Sequence, residues 1–219
     1  MKKGPGLFLH NLRPGPKLSY YYFFFFLSRF ARNLSKSYRI FLFYLFDLDD
    51  LYDLKPKYKL AFQGVGALVA ILMGNISLGA ISLPFGISID MGLLSFVVSF
   101  VWIVGVTNAI NLIDGLDGLA NGVSAISATT MLVIALMASE MQVAIVMAAL
   151  VGASVGFMPY NLNPAKMFMG DTGATFLGYI LATMSIQGLF KYYAVISFVV
   201  PFLILGLPIF DTTFAFIRR

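Results

Sequence analysis

Long apolar stretches alternate with short polar segments from about residue 60 to the end of the chain. A helix that crosses a membrane needs about 20 consecutive, mostly apolar residues. Six stretches have this character, and they cover residues 61–82, 92–112, 122–139, 142–160, 173–190 and 193–215. The pattern predicts an all-α fold, a polytopic transmembrane helical bundle with six clear spans after residue 60.

The part of the chain before residue 60 has a less regular pattern. Residues 19–46 are apolar and rich in aromatic side chains, but basic residues interrupt them at Arg29, Arg32, Lys36 and Arg39. One or two further helices are predicted here, and they could either span the membrane or lie at its surface. We therefore divide the chain into an atypical N-terminal segment, residues 1–47, and a core, residues 48–219.

Composition supports a membrane protein and narrows the possible chemistry. Hydrophobic residues make up 59% of the 219 residues and charged residues only 11%, whereas soluble domains carry about 25% charged residues. The net charge of +5 comes from basic residues that lie mostly before residue 60, so it does not indicate nucleic-acid binding. The chain has no cysteine and one histidine, His10, which excludes disulfides and sites built from several thiolates or imidazoles.

The distribution of lysines predicts which side of the membrane each loop faces. Lys55, Lys57 and Lys59 precede the first clear span, and positively charged segments tend to stay in the cytoplasm. Because each span changes the side, the loops at 111–121 and 161–171 should then be cytoplasmic as well. The sequence thus predicts a multi-pass cell-membrane protein whose aspartate-bearing segments share the cytoplasmic face.

The first of these segments contains Asp49, Asp50 and Asp53. Adjacent carboxylates repel each other, so they need a cation or a shared proton nearby. A solvated acidic loop beside lysines explains the same residues, and the segment alone favours that explanation.

The second segment places Asn111, Asp114 and Asp117 three residues apart, near one face of a helix. Gly115 and Gly118 indicate that the helix gives way to a loop here. Two carboxylates at the end of an apolar span are costly without partners. Helix capping could explain one aspartate, and a binding site would explain the set.

The third segment runs from Asn161 to Gly173 and contains Pro164, Lys166, Phe168 and Asp171. Asp171 could simply cap the following helix. Capping leaves Lys166 and Phe168 unexplained, whereas a lysine can contact a phosphate and an exposed aromatic ring can stack on a base. Oxygen donors without histidine or cysteine predict Mg²⁺, or Mn²⁺, as the metal.

At these segments the sequence resembles the polyprenyl-phosphate N-acetylhexosamine-1-phosphate transferases of glycosyltransferase family 4. That family includes undecaprenyl-phosphate GlcNAc-1-phosphate transferases and phospho-MurNAc-pentapeptide translocases. The similar stretches are DDLYDLKPKYKL (49–60), NAINLIDGLDGLANGVSAIS (108–127), NLNPAKMFMGDTGATFLG (161–178) and LPIFDTTFAFIRR (207–219). The resemblance implies transfer of a sugar-1-phosphate, here GlcNAc-1-phosphate, from a UDP-sugar to undecaprenyl phosphate. UMP is released, in the first membrane step of cell-envelope polysaccharide synthesis.

The resemblance also implies roles for individual residues. The catalytic positions are Asp49, Asp50 and Asp171. Asp49 and Asp50 match the acidic pair beside the lipid phosphate, one of them as its general base. Asp171 matches the magnesium ligand, with Asp114 as a second ligand. The substrate-binding positions are Lys59, Asn111, Asp114, Asp117, Lys166 and Phe168. Phe168 matches the aromatic residue that stacks on uracil. The partners implied are a UDP-N-acetyl sugar, undecaprenyl phosphate and membrane lipid, with a homo-oligomer as a further expectation.

Two departures from the family pattern leave other functions open. The chain stops at Arg219, before the family's histidine-rich loop, and residues 1–47 contain no glycine-rich opening of the family type. A truncated, catalytically inactive membrane fragment or an interaction partner is therefore an alternative. A transporter is a third hypothesis, but transporters hold ionisable groups near the middle of the membrane, whereas these aspartates lie at the ends of spans.

Overall fold

The structure, a computed structural model, describes residues 56–82 and 88–188. These ranges contain five helices, which are α1 (Pro56–Gly74), α2 (Leu94–Ile113), α3 (Leu119–Met137), α4 (Met141–Asn161) and α5 (Gly170–Gly188). Two short strands, β1 (Ala80–Ser82) and β2 (Ser88–Asp90), pair antiparallel between α1 and α2. The predicted span at 193–215 and the N-terminal segment 1–47 lie outside the described residues.

Four predicted helices are confirmed to within three residues at each end: the stretches 92–112, 122–139, 142–160 and 173–190 correspond to α2, α3, α4 and α5. In the described residues, α2, α3 and α4 are long and apolar enough to cross a membrane. The chain is therefore a helical membrane protein, although this part of it contains three candidate spans, where five of the six predicted spans fall.

Helix α5 lies inside the bundle and packs along α2. Every residue from 172 to 179 is buried, so most of its surface contacts protein instead of lipid. This position explains why a helix containing Thr175, Thr183 and Ser185 need not be apolar, because neighbouring groups accept or donate its side-chain hydrogen bonds. Ser185 Oγ, for example, accepts a 2.9 Å hydrogen bond from the indole nitrogen of Trp102 on α2.

The predicted span 61–82 is wrong at its C-terminal end, because α1 stops at Gly74. Asn75 follows with a φ of 51°, a left-handed conformation that commonly ends helices. The backbone N–H of Ile76 donates to the carbonyl oxygen of Ala70 at 3.3 Å. The chain then forms the β1–β2 pair, in which Ile81 lies opposite Ile89. The residues after Gly74 remain apolar, so hydrophobicity alone could not separate strand from helix.

The α2–α5 interface depends on a close backbone approach at Gly178. A Cβ atom added there would lie 2.8 Å from Cα of Thr107 and 3.0 Å from its carbonyl oxygen. Both atoms belong to the backbone of α2, so a side chain at residue 178 would push the two helices apart.

We expect Gly178→Ala to destabilise the protein by about 1–3 kcal/mol, as overpacking of a tight interface does. Gly152→Ala on α4 is the matched control, because a Cβ atom there would meet nothing within 4 Å. Alanine is also the better helix former at that position. Thermal unfolding of both variants in detergent would measure the difference, and equal stabilities would contradict the close approach.

Candidate active site

Each of the five described helices has one terminus at the same end of the bundle, and the described site residues lie at or near these termini. The N-termini of α1, α3 and α5 lie there together with the C-termini of α2 and α4, as the contacts described below show. The loop between α2 and α3 thus faces the loop between α4 and α5. Both described acidic segments share one end of the molecule, as the alternation of spans predicts.

Asp171, in the first turn of α5, is the centre of this region. Its carboxylate forms an ion pair with the ammonium group of Lys59 on α1. The side-chain amide of Asn111 on α2 donates to the backbone oxygen of Asp171 at 3.2 Å, and it lies 3.4 Å from Oδ1 of the carboxylate. The same amide nitrogen lies 3.1 Å from Oγ1 of Thr175, one turn further along α5. Three helices therefore fix the position of one carboxylate.

Asp114 adds a second carboxylate at this site, just beyond the end of α2. Burial, and then the negative charge of Asp171, raise the pKa of Asp114 from 3.8 to about 7. Both causes penalise the ionised form. Asp114 therefore resists ionisation beside Asp171. A divalent cation bound between the two carboxylates would offset their repulsion.

The raised pKa of Asp114 predicts a pH-dependent effect of Asp114→Asn in metal-free protein. Between the unfolded value of 3.8 and the folded value of about 7, the folded parent binds more protons than the unfolded chain, so its stability falls as pH rises. The variant lacks this loss. Its thermal stability relative to the parent, followed from about pH 4 to about pH 9 with a chelator present, should increase up to about pH 7 and then level off. A difference independent of pH would contradict the shift.

Asp117 connects the two loops instead of joining the Asp171 cluster. Its Oδ2 atom accepts hydrogen bonds from the backbone N–H of Ala165 at 3.0 Å and from the side-chain amide of Asn163 at 3.3 Å. The adjacent Gly118 has a φ of 75°, and a Cβ atom there would lie 3.0 Å from the side chain of Leu162. Glycine is needed at this position both for its conformation and for the close contact between the loops.

The α4–α5 loop presents the remaining two predicted residues to solvent. The backbone N–H groups of Lys166 and Met167 both donate to the carbonyl oxygen of Tyr160, at 2.8 and 3.0 Å. Lys166 is exposed, and the ring of Phe168 is 64% exposed beside the buried Met169. An exposed aromatic ring on a loop held by backbone hydrogen bonds can serve as a stacking surface, and the lysine can contact an anion.

Asp114 and Asp171 could together hold a hard divalent cation that takes few protein ligands. Within residues 56–82 and 88–188, no group of three or more His, Cys, Asp and Glu side chains could hold a metal ion. Asp114 and Asp171 provide two carboxylates, and Asn111 lies beside the second. Mg²⁺ commonly takes one or two carboxylates and completes its octahedron with water and phosphate oxygens. The pair therefore suits Mg²⁺ better than a metal that needs a full protein cage.

Asp49 and Asp50 lie outside the described residues. Sequence reasoning missed Thr175, which bonds to Asn111, and also Asn161, which is buried and donates to the backbone oxygen of Met167 at 3.0 Å. A polar residue near the end of an apolar helix was the available signal in both cases.

Comparison with known proteins identifies the family of this chain. A family model described as Glycosyl transferase family 4 matches residues 37–189. A Bacillus subtilis protein named probable undecaprenyl-phosphate N-acetylglucosaminyl 1-phosphate transferase is 44% identical over 173 residues, which are 78% of this chain and 48% of that protein.

Two streptococcal proteins named phospho-N-acetylmuramoyl-pentapeptide-transferase are also similar. The one from Streptococcus pneumoniae is 35% identical over 60% of this chain and 40% of its own length. The one from Streptococcus mutans is 42% identical over 58% of this chain and 38% of its own length. The chain thus spans about half the length, or less, of these relatives. Because the family model covers more than half of its residues, the chain belongs to glycosyl transferase family 4.

Proposed function

We propose that this chain carries the core of an enzyme that transfers GlcNAc-1-phosphate from UDP-GlcNAc to undecaprenyl phosphate. The observation that carries the proposal is the cluster around Asp171, in which Lys59, Asn111 and Asp114 from two other helices surround one carboxylate at the end of a membrane bundle. An anionic, diphosphate-containing substrate and a lipid acceptor could meet at such an end. The Bacillus subtilis relative named as a transferase of this type supports the choice of reaction.

The reaction requires charge neutralisation more than covalent help from the protein. An oxygen of the lipid phosphate attacks the phosphorus that bears the sugar, the bond from that phosphorus to the bridging oxygen breaks, and UMP leaves with the bridging oxygen. Phosphoryl transfer of this kind depends mainly on positioning and on stabilising the charge of the phosphate oxygens. Mg²⁺, held by Asp171 and Asp114, would supply that stabilisation when bound. Lys59, and Lys166 on the α4–α5 loop, would add positive charge.

The loop that contains Phe168 is proposed to bind the nucleotide. The ring is exposed next to the buried Met169, so one face is available to a uracil base. Stacking of a base on an aromatic ring contributes about 1–3 kcal/mol. Asp117 holds this loop against the α2–α3 loop, so we assign it a positioning role and place the direct contacts on Lys166 and Phe168.

The charge distribution supports a cytoplasmic location for this end of the bundle. All three lysines within the described ranges, Lys57, Lys59 and Lys166, lie at this end, whereas Glu140 lies in the α3–α4 turn at the other. Positively charged residues near span ends favour the cytoplasmic side. The proposal is therefore a multi-pass membrane enzyme that takes its nucleotide sugar from the cytoplasm.

The test is release of UMP from UDP-GlcNAc in the presence of undecaprenyl phosphate and Mg²⁺. It should be run with the purified chain and with a chimera in which residues 48–189 replace the matching segment of the Bacillus subtilis relative. We expect the chimera to use UDP-GlcNAc in preference to UDP-MurNAc-pentapeptide. A chimera that is folded but silent with both substrates would contradict the proposed function, and a preference for UDP-MurNAc-pentapeptide would overturn the assignment of the sugar.

A further inference from the structure

Within the described residues Asp171 pairs with one cation, Lys59, and it is proposed to bind another. The ammonium group of Lys59 forms an ion pair with this carboxylate. The proposed function requires the same carboxylate to bind a divalent metal. Two cations on one carboxylate repel each other, so binding of the metal must displace the ammonium group or leave it in an unfavourable position. The side chains of Lys59 and Asp171 are 22% and 46% exposed, which leaves a solvent route for the exchange.

Gln63 provides a second acceptor near Lys59. It lies four residues further along α1, so both residues are on one face of the helix. Helical side chains lean towards the N-terminus, so a side chain at this spacing lies over the turn that carries Lys59. The residue is 4% exposed, and its side-chain oxygen has no hydrogen-bond partner among residues 56–82 and 88–188. A buried acceptor without a partner is unfavourable, and it would gain by accepting from an ammonium group.

We propose that the Lys59 side chain has two positions. Its ammonium group pairs with Asp171 in the absence of a divalent metal, and it moves to donate a hydrogen bond to the side-chain oxygen of Gln63 when the metal binds. This inference rests on the proposed function, because it takes Asp171 to be a metal ligand. The exchange replaces the ion pair with Asp171 by a hydrogen bond to Gln63, and no proton is transferred. Gln63 is neutral, so Lys59 keeps its charge and its remaining donors for a phosphate oxygen of the substrate.

The consequence is that Lys59 competes with the metal in the absence of nucleotide. A hydrogen bond to a charged group contributes about 1.5–3 kcal/mol, so removal of the competing ammonium group should strengthen binding of another cation to the carboxylate by about tenfold or more. A lysine that contacted the substrate but did not pair with the carboxylate, and was screened from it by water and salt, would leave the affinity for bare metal nearly unchanged. The two roles therefore give different results for the same substitution.

The experiment is titration of the full chain in detergent with Mn²⁺, followed by the electron paramagnetic resonance signal of free Mn²⁺. We expect Lys59→Met to bind Mn²⁺ about tenfold more tightly than the parent. Lys57→Met is the matched control, because Lys57 is an exposed lysine on the same helix. Water and salt screen the charge of this exposed lysine, so its removal should change the affinity for Mn²⁺ little.

Gln63→Leu tests the second position of the ammonium group. We expect this variant to bind Mn²⁺ about threefold to tenfold more weakly than the parent, since one hydrogen bond of ordinary strength is lost from the metal-bound state. In the Lys59→Met background the same substitution should have no effect, because no ammonium group remains to be accepted. Leucine is a good helix former and suits a buried position, so folding should be retained.

The outcomes separate this inference from the proposed function. If the parent binds Mn²⁺ and Lys59→Met binds it equally or more weakly, the exchange is overturned and the metal site still stands. An equal loss from Gln63→Leu in both backgrounds would overturn the role of Gln63. If neither the parent nor Lys59→Met binds Mn²⁺, while both are folded, then both the exchange and the proposed metal ligands are wrong.

Discussion

Asp171→Asn is expected to abolish sugar-phosphate transfer and to leave the fold in place. The substitution keeps the size of the side chain and an oxygen beside Asn111, but it removes the charge that a divalent cation requires. Loss of a single preorganised group that stabilises developing charge typically costs about 10²–10³-fold in rate, and loss of a metal ligand should cost at least as much. UMP release from UDP-GlcNAc by the chimera described above measures the effect.

Glu140→Gln is the matched control for this prediction. It makes the same change from carboxylate to amide in the α3–α4 turn, at the opposite end of the bundle, where Glu140 forms no side-chain cap. We expect its turnover to equal that of the parent. Near-parental turnover of Asp171→Asn would mean that Asp171 only stabilises the first turn of α5, and the assignment of the metal ligands would fail.

The helices that contact lipid could be predicted from the sequence, because lipid requires an almost unbroken apolar surface. The predicted stretch 142–160 agrees with α4 to one residue at each end. The β1–β2 pair could not be predicted in the same way. Ile81 and Ile89 continue the apolar pattern after Gly74, and the change of structure there depends on the left-handed conformation of Asn75.

The approximate location of the site could also be predicted, whereas its contacts could not. The alternation of spans places the second and third acidic segments together, and the hydrogen bonds between Asn111 and Asp171 confirm this. The pairing of Lys59 with Asp171 joins residues 112 positions apart in the chain. The family resemblance assigns Lys59 to phosphates, and no local pattern indicates which carboxylate it meets before a substrate binds.

Asp117 shows why a residue type does not determine a role. The sequence groups it with Asn111 and Asp114 by their spacing of three residues, and a continuous helix would keep the three near one face. However, α2 ends at Ile113, and Asp117 lies in the turn before α3. Its carboxylate consequently binds the α4–α5 loop instead of pointing with Asp114 towards Asp171.

Asp117→Ala is expected to weaken the use of UDP-GlcNAc by loosening the α4–α5 loop. The variant loses the acceptor for the N–H of Ala165 and for the amide of Asn163. Hydrogen bonds to a charged group contribute about 1.5–3 kcal/mol, so the population of the correctly placed loop should fall about 10- to 100-fold. Because this loop presents Lys166 and Phe168, the loss should appear mainly as a higher KM for UDP-GlcNAc.

The comparison of Asp117→Asn with Asp117→Ala distinguishes positioning from direct chemistry. Asparagine keeps one neutral oxygen that can accept from Ala165, so a positioning role predicts a KM between those of the parent and the alanine variant. A role that requires negative charge, such as metal binding, predicts that the two variants are equally impaired. Cleavage after Lys166 by a lysine-specific protease gives a second measure, because a loosened loop enters the protease more readily. Faster cleavage in the order parent, asparagine, alanine would support positioning, whereas unchanged cleavage with a large loss of turnover would show that Asp117 acts on the substrate itself.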